Sequence, residues 1–397
     1  MRIAFTLIGG RNWTGGYNYL LNLVKVLSEH QSGRVTPVLF FGTDTDEAEA
    51  APFAAIAGAE VVRTPLMNQA RKTRSLLRSL VLGVDAPVRA LFEAQRIELV
   101  FESAVFFGWR LALPAMAWIP DLQHRELPQL FSRLGYWKRE LGFLAQVLSG
   151  RSVMVSSEDT RAACERHYAR CRGRTHVVRF AVPPVHPLSP AGARAIADQY
   201  GLPAHFFFMP NQFWRHKNHM LVLQALALLR ERGQPVVVAA SGKQADPRDP
   251  EHFAKVAAKL GSLGLQNDFR LLGLIPYEHL GALMQASAAL LNPSAFEGWS
   301  TTVEEARSLG VPMLLSDLAV HREQAEGSAA FFDRHSAASL ADALHTFTPL
   351  DGEERAARQH AAHADAQRRV ARFGADFVQL ATRYLREAPA RGAVAPQ

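Results

Sequence analysis

Two carboxylates, Glu297 and Glu305, stand eight positions apart in "NPSAFEGWSTTVEEARSLGVP", residues 292–312. Between them lie Gly298, Trp299 and the hydroxyl run Ser300-Thr301-Thr302. An apolar strand pattern precedes the stretch and a helical one starts near Thr301 or Thr302. A helix start offers unpaired N–H groups and about half a unit of positive charge. Gly298 lets the backbone come close to a ligand, and the three hydroxyls add donors, a combination that suits a diphosphate. The carboxylates would repel phosphate. They suit acceptance of hydrogen bonds from sugar hydroxyls, Glu305 from a ribose and Glu297 from a transferred sugar. Thr301-x-x-Glu304 and Thr302-x-x-Glu305 also fit the capping-box pattern, whose commoner meaning is a stabilised helix start. Capping leaves Glu297 and Gly298 without a role.

Three further stretches carry candidate chemistry. In "FFFMPNQFWRHKNHMLVLQAL", 206–226, a buried strand runs through Asn211 and Gln212 to Arg215, His216 and Lys217 at a helix start. Cations placed there can neutralise a departing diphosphate; the spacing alone equally allows a solvated basic turn. In "GGRNWTGGYNYLLNL", 9–23, Gly15 and Gly16 open a helix after the first strand, so that backbone can approach a phosphate or sugar. The doublet lacks the G-x-G-x-x-G spacing of dinucleotide sites, and taken alone it is more often a tight turn. In "WIPDLQHRELPQLF", 118–131, Asp121 and His124 follow a strand. The histidine could serve a sugar hydroxyl or a departing phosphate, although most strand-end histidines are structural.

These residues need elements to position them. Apolar strand runs fall at 3–8, 36–42, 59–63, 97–101, 115–119 and 152–156, with helical patterns at 16–30, 46–57, 86–95 and 136–148. After the proline-rich "FAVPPVHPLSP" (180–190), which suits a stiff linker, the alternation resumes. Strands are expected at 206–209, 235–240, 269–273, 288–292 and 312–316, and helices at 218–231, 251–263, 277–286, 302–309 and 338–346. Such alternation predicts α/β domains with parallel sheets covered on both faces. The expected division is 1–185, 186–370, and a final segment 371–397. An amphipathic helix is expected over 368–386, followed by a disordered "EAPARGAVAPQ" tail.

Composition narrows the partners. The 397 residues are 48% hydrophobic and 20% charged, ordinary for globular protein and enough for two cores. "MRIAFTLIGG" reads as a first strand rather than a signal peptide. No run is long and apolar enough to predict a membrane span. The two cysteines, Cys164 and Cys171, suit a reducing cytosol and are expected to pack on one helix; ligand spacing for a metal is lacking. Residues 1–185 hold 23 Lys and Arg against 16 Asp and Glu, while the remainder is balanced at 21 against 21. The whole +7 excess thus lies in the first half, and no nucleic-acid-binding motif accompanies it. In "RTPLMNQARKTRSLLRSLVLG", 63–83, Arg71, Lys72, Arg74 and Arg78 interleave with Leu76, Leu77, Leu80, Val81 and Leu82. That pattern fits a helix lying on an anionic bilayer, and equally one packed on its own sheet.

"EGWSTTVEEARSLGVP" and the following "MLLSDLAVHREQ" resemble the E-x7-E signature of retaining glycosyltransferases of family four. The resemblance implies a GT-B fold: two Rossmann-like domains with parallel sheets facing across a cleft, and a C-terminal helix crossing back to the first. It implies an N-terminal acceptor-binding domain and a C-terminal nucleotide-sugar domain. It gives donor-sugar contact to Glu297, phosphate contact to Gly298, Trp299, Ser300 and Thr301, and ribose contact to Glu305. Lys217 matches the lysine of the family's GR-x4-K phosphate clamp, with Asn211 and Gln212 in place of Gly-Arg and Arg215 as a substitute cation. Gly15 and Gly16 match the family's N-terminal glycine loop. "LGLIPY" resembles its base-reading loop, which implicates Leu274, Ile275 and Pro276. The family's usual His-Asp pair would put Pro120 at the histidine position, so Asp121 and His124 are expected to take the corresponding role.

The activity so implied is retaining, metal-independent transfer of a sugar from a nucleoside diphosphate to a saccharide or lipid-linked acceptor. No cofactor is expected, and the location would be cytoplasmic or on the inner face of the membrane. A degenerate sugar-nucleotide or glycan-binding module, or a GT-B epimerase, would carry the same architecture.

Overall fold

The structure, a computed structural model, describes residues 1–7, 14–103, 105–184 and 187–391. The chain divides into two compact units. The first comprises Met1–Glu126, Arg133–Ala181 and Arg369–Gln397; the second comprises Leu127–Ser132 and Val182–Arg368. The two units divide at 181/182, where the expected boundary is 185/186. The sequence does not reveal that six residues, Leu127–Ser132, leave the first unit for the second.

The first unit is built on seven parallel strands: β1 (Arg2–Thr6), β2 (Thr36–Gly42), β3 (Glu60–Thr64), β4 (Leu99–Ser103), β5 (Ala115–Trp118), β6 (Ser152–Val155) and β7 (Thr175–Val177). Their order is β3-β2-β1-β4-β5-β6-β7. The helices between them are α1 (Thr14–His30), α2 (Glu47–Ala54), α3 (Gln69–Val81), α4 (Ala86–Ala94), α5 (Gln123–Glu126), α6 (Arg133–Leu148) and α7 (Glu158–His167). β5 is buried along its whole length and reads as an unbroken apolar run, and β4, equally buried, does so up to Glu102. Cys164 lies on α7, but Cys171 is in the separate 3₁₀ turn Ala169–Cys171. Both are buried free thiols.

The second unit has six parallel strands: β8 (Phe207–Met209), β9 (Val238–Ser241), β10 (Phe269–Gly273), β11 (Ala289–Asn292), β12 (Met313–Ser316) and β13 (Ala329–Phe332). They run β10-β9-β8-β11-β12-β13. Around them pack α8 (Pro190–Gln199), α9 (His219–Glu231), α10 (His252–Ser262), α11 (Tyr277–Ala286), α12 (Thr301–Ser308), α13 (Ala319–Ala325) and α14 (Ala337–Thr346). Pro190 occupies the first turn of α8, where its missing N–H costs nothing, so the proline-rich linker ends one residue earlier than expected.

The last helix, α15, spans Gly352–Arg391 and is far longer than the expected 368–386. It begins in the second unit and ends in the first. In the first unit Phe377 meets Phe5 and Phe101 at ring distances of 6.2 and 5.5 Å, and Phe373 meets Tyr19 and Phe180. The helix also runs through Glu387–Arg391, the first part of the segment expected to be a disordered tail. Residues 392–397 lie outside the described ones. Among the described residues, no helix is long and apolar enough to cross a membrane.

Candidate functional site

The carboxyl ends of β8, β11 and β12 are neighbours in the sheet, and the polar residues that follow each strand meet there. In parallel α/β sheets that edge is where ligands bind, because the strands deliver loops and helix starts to one place. Asn292 ends β11 wholly buried. Its Oδ1 accepts from Ser294 N at 3.2 Å and from Asn211 Nδ2 at 3.3 Å, while its Nδ2 donates to Ser300 Oγ at 3.0 Å. One side chain thereby ties the β8 loop, the β11 loop and the start of α12.

Within that frame Glu297 and Lys217, eighty residues apart in sequence, form an ion pair with Nζ 2.5 Å from Oε1. Ser294 Oγ lies 2.8 Å from the same carboxylate oxygen and 2.6 Å from Asn292 Oδ1, so its single proton serves one acceptor at a time. Burial opposes the charge on Glu297, but Lys217, His321 and Ser294 outweigh it and hold the carboxyl below its ordinary range. The pair retains some solvent access, with 14% of the Lys217 side chain and 9% of the Glu297 side chain exposed.

Lys217 reaches this point from the 3₁₀ turn Arg215–Lys217, which ends at Asn218 in the left-handed conformation (φ 60°) before α9 begins. His216 is buried, and its backbone oxygen accepts from Ala295 N at 2.8 Å, fastening the turn to the Glu297 loop. Burial, with Lys217 and Arg248 nearby, keeps its ring neutral. Arg215 itself is exposed and lines a cavity of about 300 Å³ with Phe131, Asp246, Arg248 and Asp249. Asn211 is buried in the Asn292 network, whereas Gln212 is only partly covered. Gly242, just after β9, has φ 148°, and a Cβ there would come within 2.6 Å of Asn211 O. Only glycine lets the β9 loop lie this close to the Asn211 backbone.

The N-cap of α12 is Ser300, which makes no side-chain capping hydrogen bond. The Ser300 hydroxyl is instead engaged with Asn292 and, at 3.1 Å, with Thr302 Oγ1. Glu304 is buried and accepts from Gln324 Nε2 at 3.0 Å. Gln324 also clasps the Ser300 backbone, accepting from its N–H at 3.1 Å and donating to its carbonyl at 2.7 Å. The first turn is thus fixed through the backbone of residue 300, and the Ser300 side chain does not cap it. Gly298 is buried, and Trp299 and Thr301 are half-buried beside it.

Glu305 lies on α12, partly buried, with Tyr277 Oη 3.4 Å from its Oε1. Burial pushes its carboxyl up to about 7, against the pull of Tyr277. Tyr277 starts α11 directly after Leu274, Ile275 and Pro276, and both Leu274 and Tyr277 are strongly exposed. The sequence does not single out Ser294, Ser316, His321 or Gln324. His321 Nδ1 lies 3.0 Å from Ser316 O, and Ser316 Oγ donates to Ser294 O at 2.7 Å, so α13 braces the loop that carries Glu297. The only sequence signal for them is that each falls just after an apolar strand or in the helix that follows.

The remaining expected residues lie in the first unit. Gly15 and Gly16 sit in the first turn of α1, and the loop before it, 8–13, falls outside the described residues. Asp121 pairs with Arg139 at 2.7 Å and accepts from Gln123 N at 2.8 Å. His124 differs from the role expected of it. It is fully buried on α5, with Nε2 3.0 Å from Glu140 Oε2, and Arg125 and Tyr168 converge on the same carboxylate. A histidine enclosed in this way holds α5 to α6 and presents no ring to a ligand. Among the described residues no group of three or more His, Cys, Asp or Glu side chains could hold a metal ion.

The two sheets, their strand orders and the returning C-terminal helix define the GT-B fold. Residues 197–364 match the family described as glycosyl transferases group 1. Solved structures similar to the whole chain include HepE from Anabaena in complex with UDP and glucose, with a TM-score of 0.71 and 19% identity over 96% of this chain and 99% of that one. Sucrose-phosphate synthase from Thermosynechococcus elongatus follows with a TM-score of 0.68 and 17% identity, covering 99% and 100%. WaaG, a glycosyltransferase involved in lipopolysaccharide biosynthesis, has a TM-score of 0.57 and 15% identity, covering 92% and 95%. No curated protein matches the chain.

Proposed function

We propose that this protein is a retaining glycosyltransferase that takes a hexose from a UDP-sugar and transfers it to a saccharide or lipid-linked acceptor. The observation that carries the proposal is the Lys217–Glu297 pair beside the uncapped start of α12. The diphosphate lies over the first turn of α12, where N–H groups and the helix dipole favour its charge. Lys217 turns from Glu297 to the phosphate nearest the sugar, and Glu297, released, accepts hydrogen bonds from the sugar's hydroxyls. Glu305 accepts from the ribose, and the exposed loop Leu274-Ile275-Pro276 with Tyr277 offers the base its surface. The base is written as uracil because HepE is described in complex with UDP and with UDP-glucose.

In the reaction the bond from the anomeric carbon to the phosphate oxygen breaks, and its electron pair leaves with UDP. The acceptor oxygen bonds to the same face of that carbon, and its proton passes to the departing phosphate oxygen. Lys217 and the α12 dipole stabilise the charge as it develops. Countercharge from these groups requires no metal, so a chelator should leave turnover unchanged. The proposal is tested by incubating the protein with UDP-glucose, GDP-mannose and ADP-glucose, and following release of nucleoside diphosphate and the anomeric configuration of the product by NMR. Release of UDP with retained configuration is expected; no turnover of any donor, or inversion, would overturn it.

A further inference from the structure

Among the described residues, every large apolar side chain that the first unit exposes falls on α3, on α6 or on the segments that join them. On α6, Leu134, Trp137, Leu141 and Leu148 are 55–81% exposed. Their spacing of three, four and seven places them on one face of the helix, opposite the buried Phe143 and Val147. The second group is Leu77, Leu80, Val81 and Leu82, around the end of α3, with Trp109 at 50% exposure. The two groups are physically linked. Gln146 of α6 donates to Val105 O at 3.2 Å and Arg151 to Gly108 O at 2.7 Å, while Arg110 N donates to Gly83 O at 2.8 Å. The loop bearing Trp109 is thus held against both helices.

The exposed charge on the two helices has one sign, although Asp44 and Glu49 from neighbouring segments face Lys72. α3 contains no acidic residue, and the single acid of α6, Glu140, is buried. Lys72 and Arg74 on α3, Arg110, and Arg133 and Lys138 on α6 are all exposed. Arg71 and Arg78 are turned inward to the buried Asp85, at 3.8 and 3.3 Å, and so leave this set. Exposed leucine and tryptophan rimmed by cations is the chemistry of an interfacial membrane contact, with tryptophan at headgroup depth and lysine and arginine on anionic lipid. Exposed apolar side chains clustered in this way mark an interaction surface.

We infer that this face of the first unit docks on an anionic lipid bilayer, α6 supplying the apolar anchor and α3 with Arg110 the cationic rim. The docking site is thereby wider than the 63–83 segment suggested by the sequence, and it does not depend on the sugar-transfer proposal.

Co-sedimentation of the full chain with vesicles of phosphatidylglycerol and phosphatidylethanolamine, against vesicles of phosphatidylcholine, tests it. Binding to the anionic vesicles alone is expected, weakened by high salt. Leu134→Ser with Trp137→Ser and Leu141→Ser should lower the partition on the order of 100-fold, with an unchanged melting temperature. Bromine-labelled lipid should quench the native protein more than a Trp137→Phe variant. Binding to neither vesicle, or equal binding by native and triple-serine chains, would overturn the inference. So would light scattering that shows a dimer abolished by the same three substitutions, since a second copy would then cover the face.

Discussion

Glu140 in the first unit and Glu297 in the second are both carboxylates held by a cation and a hydroxyl, yet their surroundings differ. Glu140 receives Arg125, Tyr168 and His124, and only 1% of it is exposed. Burial opposes its charge, and those three partners together keep it ionised. Glu297 has one cation and one shared hydroxyl, at a strand end beside an uncapped helix start. A carboxylate encircled by donors welds two helices. In the function proposed here, Glu297 becomes available for exchange when its single cation, Lys217, turns to a phosphate.

The strongest way to break this comparison is at Glu297. Glu297→Ala should lower transfer by roughly 10³-fold or more while leaving the fold intact; near-normal turnover of the purified variant would remove Glu297 from the site. Glu140→Ala should do the reverse, costing about 3–5 kcal/mol of stability through stranded buried partners. Urea unfolding measures this, and a loss of turnover at unchanged stability would return His124 to the catalytic account. Next in size, Lys217→Ala should reduce kcat on the order of 10²-fold. A purely structural lysine would instead shift the melting temperature and leave kcat alone.

The smallest effect concerns pH. Glu305 has its carboxyl raised to about 7 in the folded chain, so the native state holds a proton there that the unfolded chain loses near the ordinary 4.5. Stability should therefore fall as pH rises from about 4.5 to about 7, and Glu305→Gln should flatten that slope. The affinity for a UDP-sugar should rise over the same upper range as the carboxylate forms, while kcat stays level. A KM profile unchanged in the Glu305→Gln variant would detach Glu305 from the ribose.

Some of this was legible in the sequence for a physical reason. Strands buried on both faces, such as "LVF" of β4 and "ALL" of β11, leave apolar runs that composition alone reveals. β7 and β13 escape because they are short edge strands: Thr175–Val177 is polar at one end, and Ala329–Phe332 is only partly covered. The first half of α15, "GEERAARQHAAHADAQ", has no stripe of large apolar residues, although its alanines favour helix. In the site, Glu297 and Lys217 stand out by charge. Asn292, Ser294 and Gln324 do not, since small polar residues after a strand look like any loop. Only the sheet order, which sets β8 beside β11, gives them a shared purpose.

The returning helix also constrains how the molecule is made. Phe373 and Phe377 of α15 fill the first unit's interior against Tyr19, Phe5 and Phe101, yet in the chain they come after the whole 182–368 segment of the second unit. A nascent chain carrying only 1–181 therefore exposes a groove where those rings belong, while 182–368 can close before those rings are made. Maturation should run with the second unit protease-resistant first. Stalled chains ending before residue 373 should yield a protected fragment from the second unit and none from the first.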